Sequence, residues 1–411
     1  MDTGQTATGR GGRPGLPAGG PVRLFLDDGR FRFYTRALIV LSAAVWLAVV
    51  LLGHGLRDAN GRIVGGDFVL FYSAARLAVG PRPVLAYDPA ADYREENRVL
   101  GEDIVHPLFF LHPPVVLLPL AGLAPLPFGV ALALFSLASL AAGYAAARAF
   151  GLPGRESALL FFAAPAVFQC LSQGQVALFV AASAAGGLLL LERRERWSGV
   201  LLGLACIKPH VVAAIFVYAI LKKRWRPLVW AAITFAGLAA LAEAVFGGGL
   251  WQAFFGALAG ATRIVEHGFA PFAKMTTAFA AARLSGLGNG AAYALQGLSV
   301  AGALAGLVYA VVAVRNVWIE RASVLAACLL LPHYAYDYDW TLALFSIFAL
   351  VRAWTEAGRD MPLSLKIVTT GAYLAPLLAT ALAVWTGVQV GPWLLCAYFA
   401  GLLLVRPRTA V

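Results

Sequence analysis

Charge is what this chain has least of. Asp, Glu, Lys and Arg make up 13% of its 411 residues, about half the share of an ordinary soluble domain. With 60% hydrophobic residues beside it, that scarcity excludes a soluble globular fold and predicts an all-α polytopic membrane protein. Also missing is the apolar/polar alternation of a membrane-spanning strand, so helices rather than a barrel must cross the bilayer. Cysteine is scarce: Cys170, Cys206, Cys328 and Cys396 lie in apolar runs without ligand spacing. They read as small core residues, which excludes a disulfide framework. A Walker-type phosphate loop, a His-Glu-x-x-His helix and a nucleophile elbow are absent. No stretch is polar and long enough to build a nucleotide-binding domain, which sets aside the soluble nucleotide-sugar enzymes. No metal-binding cluster stands out, Asp337 and Asp339 alone leaving a divalent ion open, and no cofactor is expected.

What charge there is has a pattern. The formal net charge of +11 would suggest nucleic acid, but the basic residues sit in short clusters between apolar runs. Arg193-Arg194 with Arg196, Lys222-Lys223-Arg224 with Arg226, Arg315 with Arg321, and Arg406 with Arg408 follow the positive-inside rule instead. The Gly/Pro/Arg-rich start, residues 1–36, has no early apolar region and is expected to be a disordered basic cytoplasmic tail rather than a signal peptide. A single transmembrane unit, 37–411, then carries roughly ten to twelve crossings of about twenty residues each. The first is expected over 37–56. Both clusters flanking 199–221 look cytoplasmic, yet that segment is too short for two full spans. Either it is a hairpin of half-helices turning at Lys208-Pro209-His210, or one cluster lies outside.

Residues 57–107 form a loop unlike the rest, holding Asp58, Asp67, Asp88, Asp92, Glu95, Glu96, Glu102 and Asp103. By the positive-inside rule this loop faces away from the cytoplasm. Asp67 follows two glycines and precedes an apolar run that stops at Gly80-Pro81, so it reads as a helix N-cap. Asp88-Pro89 opens a second helix that ends near Gly101. Both are expected to lie along the membrane surface.

Ionisable groups at membrane depth are costly and therefore candidates for function. Lys208 stands in an apolar segment beside a helix-breaking proline; it is either a snorkelling lysine or an ammonium aimed into a cavity for a phosphate. Gln173-Gly174-Gln175 is either a plain loop or a pair of amides lining a sugar site. Lys274 is either an interfacial flank or a second cation of the site. An aromatic belt explains the tyrosines and tryptophan between Pro332 and Trp340, but not His333, Asp337 and Asp339 together.

These blocks, in order, resemble glycosyltransferase family 87, bacterial polyprenyl-phosphate-mannose-dependent mannosyltransferase-like membrane proteins. The resemblance rests on Gly66-Asp67-Phe68 with Phe71 to Arg76, Ala86-Tyr87-Asp88-Pro89, Pro113-Pro114, Gly174-Gln175, Lys208-Pro209-His210, Lys274-Met275 before Phe279 to Arg283, and the Pro332 to Trp340 cluster. The chain departs from the family at His112, where many relatives have tyrosine, and at Trp340, where they usually have leucine. The resemblance implies a C-type glycosyltransferase fold in the bacterial inner membrane, with its active site on the extracytoplasmic side. It implies a polyprenyl-phosphate sugar donor, a lipid or glycan acceptor, and membrane lipids as surroundings. Asp67 is then the expected base, with His333 in support. Lys208, Lys274 and Arg76 are expected at the donor phosphate. Gln175, His210, Tyr72, Asp337, Asp339 and His112 are expected around the sugar and acceptor. A transporter or flippase of a lipid-linked sugar is the competing class, since it too uses intramembrane charges and broken helices.

Overall fold

The computed structural model describes residues 28–59, 61–101 and 109–404. Residues 1–27 of the expected tail, and Glu102 and Asp103 of the loop, lie outside the described residues. Among the described residues every regular element is helical, and extended pairing is limited to isolated bridges. The first eight α-helices are α1 (Asp28–Leu52), α2 (Phe68–Ala78), α3 (Pro89–Leu100), α4 (Leu117–Ala121), α5 (Phe128–Ala149), α6 (Gly154–Phe162), α7 (Pro165–Gln173) and α8 (Ala177–Leu190). Next come α9 (Glu195–Ala205), α10 (Ala213–Leu221), α11 (Trp225–Phe246), α12 (Leu250–Glu266) and α13 (Ala278–Leu284). The last five are α14 (Asn289–Ala313), α15 (Val317–Leu330), α16 (Thr341–Glu356), α17 (Leu363–Thr386) and α18 (Gly391–Leu404).

Among the described residues five helices, namely α1, α5, α11, α14 and α17, are each long and apolar enough to cross a membrane alone. The others are shorter and reach depth as broken or paired pieces. The helix α1 begins well before residue 37, because Phe31 is buried and Arg32 approaches Glu156 of α6 at 3.8 Å. Hydropathy marks where lipid begins, whereas the helix continues through arginines that favour helical backbone. Ion pairs gather the opposite ends of many helices at one face. Lys222 bonds Glu320 at 2.7 Å, Arg224 bonds Glu192 at 3.2 Å, and Arg352 reaches Glu356. This basic face holds the junctions α8–α9 and α10–α11 together with the start of α15.

That arrangement resolves the segment at 199–221. The helices α9 and α11 run side by side in the same direction, with Gly199 against Trp230 and Ala231, and Gly203 against Ala231 and Thr234. For α11 to start beside α9, α10 must return the chain to the basic face. The segment is therefore a hairpin of half-helices, and Lys208 lies at its tip. Eleven residues of α9 place that tip about 16 Å above the basic face. Two further hairpins turn toward the same side: α7–α8 through Gln173-Gly174-Gln175, and α15–α16 through 331–340. Alternation between the faces gives roughly ten crossings plus the re-entrant pair.

The first loop folds into the protein instead of skirting it. Both expected helices form, and α3 has its Asp88 cap on the Ala91 N–H and a left-handed Gly101 at its end. The helix α2, however, is buried on every side from Phe68 to Ala75. Its residues there are apolar or small all round, the signature of a core helix rather than a surface one. Phe68 packs on Phe128 and Phe135 of α5, and the Tyr72 hydroxyl donates to the Leu126 carbonyl at 2.5 Å. In the stretch 247–275, polar by composition, α12 is an amphipathic helix with Phe255 and Leu258 exposed.

The close approach of α9 to α11 carries a stability prediction. A Cβ on Gly199 would sit 2.3 Å from the Trp230 Cβ and 2.6 Å from the Pro227 carbonyl oxygen. Gly199→Leu should therefore destabilise the protein by about 1–3 kcal/mol. Gly237→Ala, where an added Cβ meets nothing, should not. Melting temperatures of the two variants in one detergent make the comparison.

Candidate functional site

The three hairpin tips and the start of α2 converge on one site. Its first fixed point is a backbone contact: the Asp67 N–H donates to the Gln173 carbonyl at 2.8 Å. Two glycines make this approach possible. Gly65 and Gly174 both adopt left-handed backbone, and a Cβ on Gly174 would lie 2.4 Å from that of Phe68. Only glycine allows both the turn and the contact.

Asp67 occupies the N-cap position of α2 but does not cap it. Its backbone is α-helical rather than extended, and the carboxylate makes no bond to the helix N–H groups. In that conformation the side chain cannot turn back onto the first turn. The capping expectation is thus corrected: Asp67 Oδ2 instead accepts from Gln175 Nε2 at 2.5 Å. Because the carboxylate is an acceptor only, this bond fixes the orientation of the Gln175 amide. Gln173, on the same tip, donates to Asp337 Oδ1 at 3.3 Å. The tip is thereby a fork whose two amides each hold one carboxylate, from loop and hairpin respectively.

Behind the fork lies an ion pair. Lys208 Nζ bonds Asp339 Oδ1 at 2.5 Å, with 4% and 1% of the two side chains exposed. The ammonium also sits 4.7 Å from the centre of the Tyr338 ring, and Asp339 Oδ2 accepts from the Tyr336 N–H. Asp337 is equally buried and is completed by the Thr380 hydroxyl at 3.0 Å and the Tyr338 N–H at 2.9 Å. Lys274 belongs to a strip paired with this turn. Its carbonyl accepts from the Asp337 N–H, the Thr276 N–H donates to the Ala335 carbonyl, and Met275 bridges Tyr336. Trp340 locks the same strip by donating its indole N–H to Thr276 Oγ1 at 2.7 Å.

Exposure divides the site into a front and a back. Asp67, His112 and Tyr334 are half-buried, and Lys274 and His210 are exposed. Lys208, Asp337, Asp339, Tyr336 and Tyr338 form the buried back wall. His112 is held between Phe71 and Phe110, and the Tyr87 hydroxyl donates to its carbonyl at 2.7 Å. Burial, with the charge of Lys208, lowers its imidazole pKa to about 3, so it is a neutral ring. Burial raises the pKa of Asp67 above the ordinary carboxylate value, opposed first by the Gln175 bond, then by the charges of Lys274 and Lys208. Asp337 is likewise raised, to about 6, by burial against the opposing charge of Lys274.

Three expected residues have other partners. Arg76 pairs with Glu95 at 2.7 Å at the far end of α2, nine residues and about 13 Å from Asp67 along the helix. The Tyr72 hydroxyl is committed to Leu126. The His333 ring lies against Phe279 and Tyr293, within the influence of Glu266, and is not hydrogen-bonded to Asp67. Conversely, Thr380 and Tyr338 were not among the expected site residues, and Gln173 entered only as one of the pair of amides. A threonine inside an apolar helix carries no local signal, while Gln173 is visible as the twin of Gln175 across Gly174.

A family profile described as Glycosyltransferase family 87 matches residues 110–332, just over half of the chain. No curated protein and no solved structure matches. The matched span holds Gln175, Lys208 and Lys274, while Asp67 precedes it.

The Asp67 environment predicts a titration. Since the Gln175 bond favours the ionised carboxylate, Gln175→Leu should raise the Asp67 pKa further. Infrared difference titration, with Asp67→Asn marking the band that belongs to Asp67, should show protonation beginning at higher pH in Gln175→Leu than in the parent.

Proposed function

Because the chain belongs to glycosyltransferase family 87 and is a polytopic helical membrane protein, we propose that it moves a hexose from a polyprenyl-phosphate donor to a lipid or glycan hydroxyl. The sugar that the family resemblance favours is mannose. The observation that carries this reading is the Asp67 carboxylate. It is partly open, freed from helix capping, held by Gln175, and within electrostatic reach of two lysines.

The chemistry needs one base. An acceptor hydroxyl loses its proton to Asp67 as its oxygen forms a bond to the anomeric carbon. The bond from that carbon to the phosphate oxygen breaks, and its electron pair leaves with the polyprenyl phosphate. A phosphate leaves without protonation, so a general acid is not required. Attack from the face opposite the departing oxygen inverts the anomeric centre. Cations at the site oppose the charge that develops on the phosphate, more strongly than they could in water. The neutral His112 ring and His210 stand at the front, where sugar hydroxyls would meet them. With the basic face read as cytoplasmic by the positive-inside rule, the site's place at the opposite side supports a reaction on the extracytoplasmic side, in the bacterial inner membrane that the family resemblance implies.

Membranes containing the protein, supplied with a labelled polyprenyl-phosphate hexose, should pass the label to lipid or glycan. Asp67→Asn should lower that rate by about 10²–10⁴-fold, the usual worth of a general base. Undiminished transfer in this variant would remove Asp67 from catalysis, and movement of intact donor across the bilayer without transfer would favour the flippase class. The pH dependence has a definite sign. Asp67 acts only when ionised, and its pKa is raised, so the rate should fall on acidification at a higher pH than the ordinary aspartate value of about 3.9 sets.

A further inference from the structure

We infer that Lys274, and not Lys208, is the cation that meets the donor phosphate, while Lys208 and Asp339 together position the back wall. This rests on the transferase reading and specifies how its site divides the work. Lys208 is the more conspicuous in sequence, being an intramembrane lysine beside a proline, but its charge is already spent. Its side chain is 4% exposed, with the ammonium bonded to Asp339 and lying over the Tyr338 ring. A phosphate could reach it only by expelling Asp339, which is 1% exposed and whose other oxygen holds the Tyr336 N–H. Expulsion would strand a buried carboxylate, the costly half of a broken buried pair.

Lys274 has the opposite character. Its side chain is exposed, and no carboxylate pairs with it among the described residues. Its backbone is pinned by the Asp337 N–H and the adjoining Met275–Tyr336 and Thr276–Ala335 contacts. Its charge reaches both Asp67 and Asp337, so it stands at the front of the same site. Arg76 is committed to Glu95. Arg283 lies over the Phe272 ring and donates to the carbonyls of Leu287 and Glu266. Among the cations considered for the phosphate, Lys274 is the one whose ammonium is open and uncommitted. An ammonium of this kind suits a phosphate monoester as a mobile point charge.

The division predicts different behaviour for a phosphate probe. Equilibrium binding of radiolabelled farnesyl phosphate to the full-length protein in nanodiscs should weaken about tenfold or more in Lys274→Gln. Lys274→Arg should restore most of it. The paired variant Lys208→Gln with Asp339→Asn avoids a stranded charge and should bind the probe within about threefold of the parent, provided its melting curve shows a folded protein. Parental affinity in Lys274→Gln would overturn the assignment, as would a tenfold loss in the folded paired variant. Transfer from the labelled polyprenyl-phosphate hexose is measured on the parent alongside. Phosphate binding through Lys274 without any transfer would defeat the transferase reading and leave the site assignment standing, while transfer with Lys274-independent binding would do the reverse.

Discussion

The site depends on a contact between two turns, the one that ends at Asp67 and the Gln173-Gly174-Gln175 tip between α7 and α8. In a membrane protein a polar turn at depth must find polar partners, since lipid supplies none. Here the two turns share one backbone N–H to carbonyl bond and the Gln175 amide on Asp67, while the Gln173 amide holds Asp337 of the α15–α16 hairpin. Gly174 makes that possible by having no Cβ where Phe68 approaches. Once the contact exists, α2 is drawn into the protein, and its aromatic face packs on α5.

The other polar tips follow the same constraint. Lys208, raised on a hairpin of half-helices, would be an unpaired cation without Asp339, and Asp339 an unpaired anion without Lys208. A buried pair of this sort adds little net stability, but losing one partner costs about 3–5 kcal/mol. It therefore fixes the relative placement of two hairpins more than it strengthens the fold. The result is a buried rear made of the Lys208–Asp339 pair, Asp337 and tyrosines, with Asp67 and Lys274, the proposed base and the proposed phosphate ligand, nearer the front.

Much of the architecture was legible in the chain, because hydropathy and basic clusters report directly on lipid and on the cytoplasmic side. Both helices expected within the 57–107 loop form, as α2 and α3. The hairpin at Lys208-Pro209-His210 was one of two open readings, and the parallel packing of α9 on α11, with the Glu192–Arg224 ion pair, decides it. The site was legible as a set of residue types but not as a set of partnerships. Asp67 looked like a cap because N-cap preference is local, whereas its actual partner lies 108 positions away. Lys208 looked like a phosphate ligand from its place beside a proline and Arg76 through the family resemblance; sequence displays their charge but not the carboxylates, Asp339 and Glu95, with which they pair.

The most direct measurement is the anomeric configuration of the transferred sugar, read by NMR on product made from a donor of defined anomer. A single carboxylate base beside a phosphate leaving group predicts complete inversion. Retention would require a covalent glycosyl intermediate on a nucleophile, and would contradict the role given to Asp67.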